Sequence, residues 1–205
     1  MMNDPQLLLL LIPVLLFSVI IHELAHGYTA LFLGDNTAER QGRLTLNPLV
    51  HLDPIMSVAL PIVTMLTAGV FIGAAKPIPF NPLNLRDPRW DELKIAIAGP
   101  VSNVAIALVF AVILNLLPLF GYYDQLLTTG LFYVIFINIL LAVFNMLPVP
   151  PLDGSKILFA IIDKPQIRIF MERYSLILII GLLFVLFNTN ILGSITAWLS
   201  QVLII

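Results

Sequence analysis

Long apolar runs separated by short polar breaks set the pattern of this chain. Residues 7–33, 95–117, 128–147 and 169–187 are each almost wholly apolar. An α-helix rises 1.5 Å per residue, so about 20 apolar residues cross the hydrocarbon core of a bilayer. These four runs are therefore predicted to be membrane-spanning helices, and residues 191–205 form a fifth apolar segment, short for a full crossing.

The breaks carry their own signals. Gly34-Asp35-Asn36 ends the first run. Residues 35–54 bring Arg40, Arg43, the alternating Leu44 and Leu46, and the turn formers Asn47-Pro48 and Asp53-Pro54, a pattern that predicts short strands or an extended loop. Residues 55–75 are apolar again but interrupted by Pro61, Gly69 and Gly73. The stretch 76–82, Lys-Pro-Ile-Pro-Phe-Asn-Pro, is predicted to be an extended edge segment or a connecting loop, because its prolines remove backbone donors. Residues 86–94 are charged and interfacial, and 121–124 make a short loop. A proline-rich break at 148–154 precedes a short amphipathic helix expected over 155–162. The expected fold is an all-α polytopic membrane protein of five to six transmembrane helices. A re-entrant segment and short strands would lie between the first two core helices. We expect a single domain over residues 1–205, its core at about 7–156 and its C-terminal membrane segments at 169–205.

Composition agrees. The 205 residues are 60% hydrophobic and only 11% charged, with a mean hydropathy of +1.01, far too apolar for a soluble domain. A formal charge of −2 gives no reason to expect nucleic acid as a partner; the lipid bilayer is the expected one. There is no cysteine, so disulfides, thiolate metal ligands and cysteine nucleophiles are excluded. No Lys or Arg precedes residue 7, and the apolar run continues well past a signal-peptide core, so the first run is read as a retained span.

Inside that first run stands His22-Glu23-Leu24-Ala25-His26, an HExxH sequence. Residues four apart share a helix face, so His22 and His26 can direct two imidazole nitrogens at one metal ion. Glu23 can then reach a water beside that ion without being a ligand. These are the only ionisable side chains in the run, and such a group at bilayer depth costs about 2.5–3.5 kcal/mol. Histidines that merely pack and hydrogen-bond are the weaker reading. A catalytic zinc needs at least one more protein ligand, for which the candidates are His51 and a carboxylate. Asp153 is the best carboxylate, directly after a span and before Gly154; its other reading is an N-cap of the following helix.

Three segments together resemble the site-2 protease family of intramembrane zinc metalloproteases. They are the HELAH of residues 22–26, Ala98-Gly99-Pro100-Val101-Ser102-Asn103, and the run from Asn145 to Gly154 that ends in Leu152-Asp153-Gly154. The resemblance covers about residues 18–156. It implies one zinc ion per chain held by His22, His26 and Asp153, Glu23 as general base, and Asn145 as oxyanion donor. It also implies a compact member without PDZ or CBS domains. The stretch between the HExxH span and Gly99-Pro100 is longer than in the smallest family cores.

Charge gives a separate argument on topology. Were residues 55–75 to cross the membrane once, Asp153 would lie on the far side from the end of the first span, at a different depth from His22 and His26. If that segment dips in and returns, residues 34–94 and 148–168 share one side and carry nine of the ten Lys and Arg, with Arg173 five residues beyond. An even number of crossings is therefore expected, with the active site towards the cytosolic side of the plasma membrane.

Other polar residues have plainer readings beside functional ones. His51 is a turn histidine or a partner of the metal site, Asn103 packs with Gly99 or bonds across helices or to substrate, and Asn115 and Asn138 are expected to make interhelical hydrogen bonds. The expected activity is zinc-dependent endopeptidase cleavage of transmembrane segments of membrane protein substrates, that is, regulated intramembrane proteolysis. One rival is a membrane zinc peptidase with a glutamate as third ligand, yet Glu39, Glu92 and Glu172 all stand outside suitable apolar spans. The other is a non-proteolytic zinc-binding scaffold or transporter, for which Glu23 would be superfluous.

Overall fold

The computed structural model describes residues 5–59, 62, 66, 73 and 75–204. The first apolar run forms helix α1 (Pro5–Phe32). A short helix α2 (Thr37–Arg40) and a 3-10 turn (Pro48–His51) follow. The second and third runs form α3 (Pro88–Leu116) and α4 (Gln125–Asn145). Four further helices complete the chain: α5 (Asp153–Ile162), α6 (Pro165–Arg173), α7 (Ser175–Thr189) and α8 (Ile191–Val202).

Among the described residues three helices are long and apolar enough to cross a membrane: Leu11–Phe32 within α1, Pro88–Phe120, and α4. α6 and α7 meet at a bend of 72° and make a fourth span only if counted as one broken crossing. The described residues thus give three to four candidate spans and do not confirm the five to six expected. α8 is a 12-residue helix, about 18 Å long against a hydrocarbon core of about 30 Å. Its length explains why it does not qualify. It instead lays Leu199 against the seam of α3 and α4, where Ala107, Ala111, Ile135 and Ile139 are buried. Alanines at that seam let the two backbones approach closely, as dispersion-driven packing in lipid requires. Outward faces stay apolar: α7 buries no residue, and Phe184 is 69% exposed. A helix that is apolar all round yet unburied by protein is covered by lipid.

Among the described residues no strand forms, which corrects the expectation for residues 35–54. The local polar side chains win there. Asn47 Oδ1 accepts from the Leu49 N–H at 3.1 Å and Asp53 Oδ1 from the Ile55 N–H at 2.9 Å, closing turns where a strand would need a partner. Leu44 turns inward against Ile20, Leu24 and Ile78, so its alternation with Leu46 reflects one buried contact and not a sheet face. Residues 76–81 are irregular, with no ladder partner. They are held instead by side chains and one amide: Arg43 Nη2 donates to Lys76 O (2.8 Å) and Lys76 N to His51 O (2.8 Å). Of residues 55–75, those up to Ala59 continue a π-helical turn begun at Pro54. The re-entrant dip itself falls largely outside the described residues.

At the charged end, ion pairs tie the start of α3 to α5 and α6. Arg89 meets Asp163 and donates to Ala160 O (2.7 Å), and Arg168 reaches Glu92 at 3.0 Å. These contacts hold the C-terminal end of α5, whose first residue is Asp153.

Candidate metal centre

α1 presents His22 and His26 on one face, as their spacing requires, with the rings 4.6 Å apart and nearly perpendicular. The room for them comes from Gly99 on α3. A Cβ there would stand 2.5 Å from His26 Cε1 and 2.6 Å from His22 Cε1, so only glycine admits both imidazoles. Gly154 serves the other side of the site. A Cβ on it would strike Met146 O and lie 2.6 Å from Leu147 O, so its bareness lets α5 start hard against the end of α4. Leu152 takes the N-cap position of α5, and the Asp153 side chain is freed to turn towards α1.

Three atoms converge. Asp153 Oδ2 lies 3.1 Å from His22 Nε2 and 3.2 Å from His26 Nε2, and the two Nε2 atoms are 3.1 Å apart. Hydrogen bonds on the far side of each ring decide what these atoms carry. His26 Nδ1 is 2.6 Å from Ile95 O, which only accepts, so Nδ1 holds the proton and Nε2 a lone pair. His22 Nδ1 is 2.6 Å from Asn103 Oδ1 and is protonated by the same reasoning. With both imidazoles neutral, two lone pairs and a carboxylate oxygen face each other. That arrangement is repulsive unless a cation sits among them. Bonds of about 2.05 Å in a tetrahedral zinc site put ligand atoms about 3.3 Å apart, close to the separations found. The donor set fits zinc, with each histidine's other nitrogen tied down as metal-binding imidazoles require.

The Asp153 carboxyl is buried. Lys156 Nζ lies 4.0 Å from the other oxygen of Asp153 and 5.2 Å over the Phe80 ring. Glu23 does not join the three atoms; its Oε2 accepts the Ile78 N–H at 2.8 Å. Asn145 is half-buried, and its Nδ2 donates to Leu141 O at 2.9 Å along its own helix, so the geometry does not bring it to the three ligand atoms. His51 is buried elsewhere and donates through Nε2 to Thr45 O at 2.7 Å. Among the described residues His22, His26 and Asp153 are the one group of this kind.

Sequence reasoning left the orienting groups unassigned. Asn103 belongs to the setting of His22, and Asn138 makes the expected interhelical bond, but to Asn103. A usable signal was there: Asn103 stands four residues after Gly99, on the face of α3 that touches the histidines.

Comparisons with known proteins point the same way. A model described as "Peptidase family M50" matches residues 121–188. The protein named "Putative zinc metalloprotease YwhC" of Bacillus subtilis is 41% identical over 197 residues, covering 92% of this chain and 84% of its own. "Putative zinc metalloprotease Rip2" of Mycolicibacterium smegmatis is 31% identical over 143 residues, 68% of this chain and 52% of its own. "Zinc metalloprotease MJ0392" of Methanocaldococcus jannaschii is 26% identical over 197 residues, 93% of this chain and 47% of its own. The chain therefore spans about half the length of the last two. No solved structure gives a significant match. A shared identity of 41% along nearly the whole chain, on top of the family model's match, means that this protein belongs to peptidase family M50, the site-2 protease family.

Proposed function

We propose that the protein is a zinc-dependent intramembrane endopeptidase that hydrolyses peptide bonds within or beside the transmembrane segments of other membrane proteins. The observation that carries this reading is the convergence of three potential ligand atoms on His22, His26 and Asp153, set among helices whose outer faces are apolar. One zinc ion held there would supply Lewis acidity, polarising the scissile carbonyl and bringing the pKa of water towards about 7.

The chain's own residues do the rest. Glu23 takes a proton from the attacking water at its carboxylate and returns it to the leaving amine. Its position one residue after His22 puts it beside the ligands without being one. Asn145 donates to the developing oxyanion: its Nδ2 carries two N–H groups and Leu141 O uses one, so the second is free for that bond. The substrate enters from the bilayer, and the site opens to water on the side that carries the Lys and Arg of residues 34–94 and 148–168, the cytosolic face of the plasma membrane. A zinc scaffold or transporter has no use for Glu23, which favours the enzyme.

The test is cleavage of a single-span peptide by protein reconstituted in vesicles. Chelation should abolish cleavage and zinc should restore it. Wild-type protein that keeps zinc but cuts no transmembrane or unfolded substrate would favour the scaffold.

A further inference from the structure

His22 points its metal-facing nitrogen correctly only while its other nitrogen is a donor. Three polar residues behind it set that state. Ser18, Asn103 and Asn138 come from three different helices and are all buried, Asn103 and Asn138 completely. Asn138 Nδ2 donates to Val134 O (2.9 Å) and to Ser18 Oγ (2.9 Å). Because Val134 O only accepts, this fixes Asn138 Oδ1 on the side of Asn103, where it accepts from Asn103 Nδ2 at 2.9 Å. Asn103 Nδ2 also reaches Ser18 O, more weakly, at 3.4 Å. Asn103 Oδ1 is then left facing His22 Nδ1 at 2.6 Å.

We infer that Asn138 is a positioning residue for the metal centre, acting through Asn103 to hold His22 in its Nδ1–H tautomer. The inference rests on the zinc reading of the site only for its purpose; the polarity of the chain of bonds stands on the two backbone carbonyls that anchor it. An asparagine amide can turn over and exchange donor for acceptor. Without Asn138, Asn103 is held only by its long bond to Ser18 O. Turned over, it would present an N–H to His22 Nδ1. The proton would then move to Nε2, where it blocks the metal. Removing such an orienting partner costs about 10–100-fold in metal affinity.

The first readout needs no metal. Only three histidines are present, so ¹⁵N-histidine spectra of the metal-free protein in micelles, kept alkaline so that the imidazoles are neutral, resolve each tautomer. Wild type should show His22 as Nδ1–H alone, and Asn138→Leu should show a mixture. Chelator competition should place the zinc affinity of Asn138→Leu at least about tenfold below wild type. An Asn103→Asp background should abolish both effects of Asn138→Leu, because a carboxylate has no donor to turn over. Equal losses in the two backgrounds would mean that Asn138 merely packs, and would overturn the relay. So would a wild-type His22 protonated on Nε2. Wild type that shows the tautomer but takes up no zinc would sink the zinc reading and leave the relay intact.

Discussion

The backbone N–H of Ile78 donates to Glu23 Oε2 at 2.8 Å, and because residues 77 and 79 are prolines it is the one backbone donor of that tripeptide. An extended, donor-poor segment thus anchors itself on the residue proposed to move the proton. Glutamine can still accept that N–H through its amide oxygen, so Glu23→Gln should preserve the contact and the fold. Zinc content should be unchanged, while turnover should fall by about 10²–10⁴-fold, the usual worth of general acid–base catalysis. Turnover retained in this variant, measured on a reconstituted single-span peptide, would remove Glu23 from the mechanism.

Gly99 is the point at which packing and metal binding meet. Gly99→Ala puts a methyl group against both imidazoles, 2.5 Å from His26 Cε1 and 2.6 Å from His22 Cε1. Overpacking of this kind costs about 1–3 kcal/mol, and here the rings are what must give. Zinc affinity should drop at least about tenfold with helix content kept, as read by chelator competition and circular dichroism. Unaltered affinity would mean that the rings stand further from α3 than found.

Asp35 ties the end of α1 to the segment that reaches Glu23. It is buried and accepts from Thr37 Oγ1, Thr37 N, Asn81 N and Asn84 Nδ2. Burial opposes its charge, but these donors prevail and its carboxyl lies below the usual range. A carboxylate with a lowered folded pKa contributes stability fully above its unfolded pKa of about 3.9 and loses it as pH falls through the folded value. Asp35→Ala should therefore cost about 1–3 kcal/mol at neutral pH, with the gap to wild type closing below about pH 4. Thermal unfolding in detergent across that range checks both the size and the sign.

Orientation can be read directly, because the chain has no cysteine and any introduced one is unique. Cysteines at Glu39 and Lys164 should both react with an impermeant thiol reagent from the cytosolic face, and one at Tyr123 from the other face. Opposite faces for the first two would mean an odd number of crossings in the stretch between α1 and α3, and the shared-side argument from charge would fail.

The long runs 95–117 and 128–147 were legible because a span must be apolar along its whole length, and α3 and α4 follow them closely. His22 and His26 were legible because helical spacing alone puts them on one face. Asp153 joins them across 131 residues of sequence, and spacing carries no trace of that contact. The resemblance supplied it, and Gly154 hinted at the close approach. What failed was local. Leu44 and Leu46 alternate like a strand, but the Asx turns at Asn47 and Asp53 satisfy the backbone more cheaply than a strand without a partner. The run 169–187 carries Glu172 and Arg173 near its start; with Arg168 just before it they hold α6 at the charged end, and the chain bends by 72° into α7. Asn103 and Asn138 were visible as lone polar residues, but which amide faced which histidine depends on packing that periodicity does not encode.

The central claim is that His22, His26 and Asp153 hold one zinc ion, and metal content tests it most directly. Zinc should be measured in detergent-purified wild type, Asp153→Ala and His51→Ala. The account predicts about one zinc per chain in wild type, loss in Asp153→Ala, and retention in His51→Ala. Zinc that survives Asp153→Ala but falls with His51→Ala would contradict it, and would move the metal to the loop that follows α1.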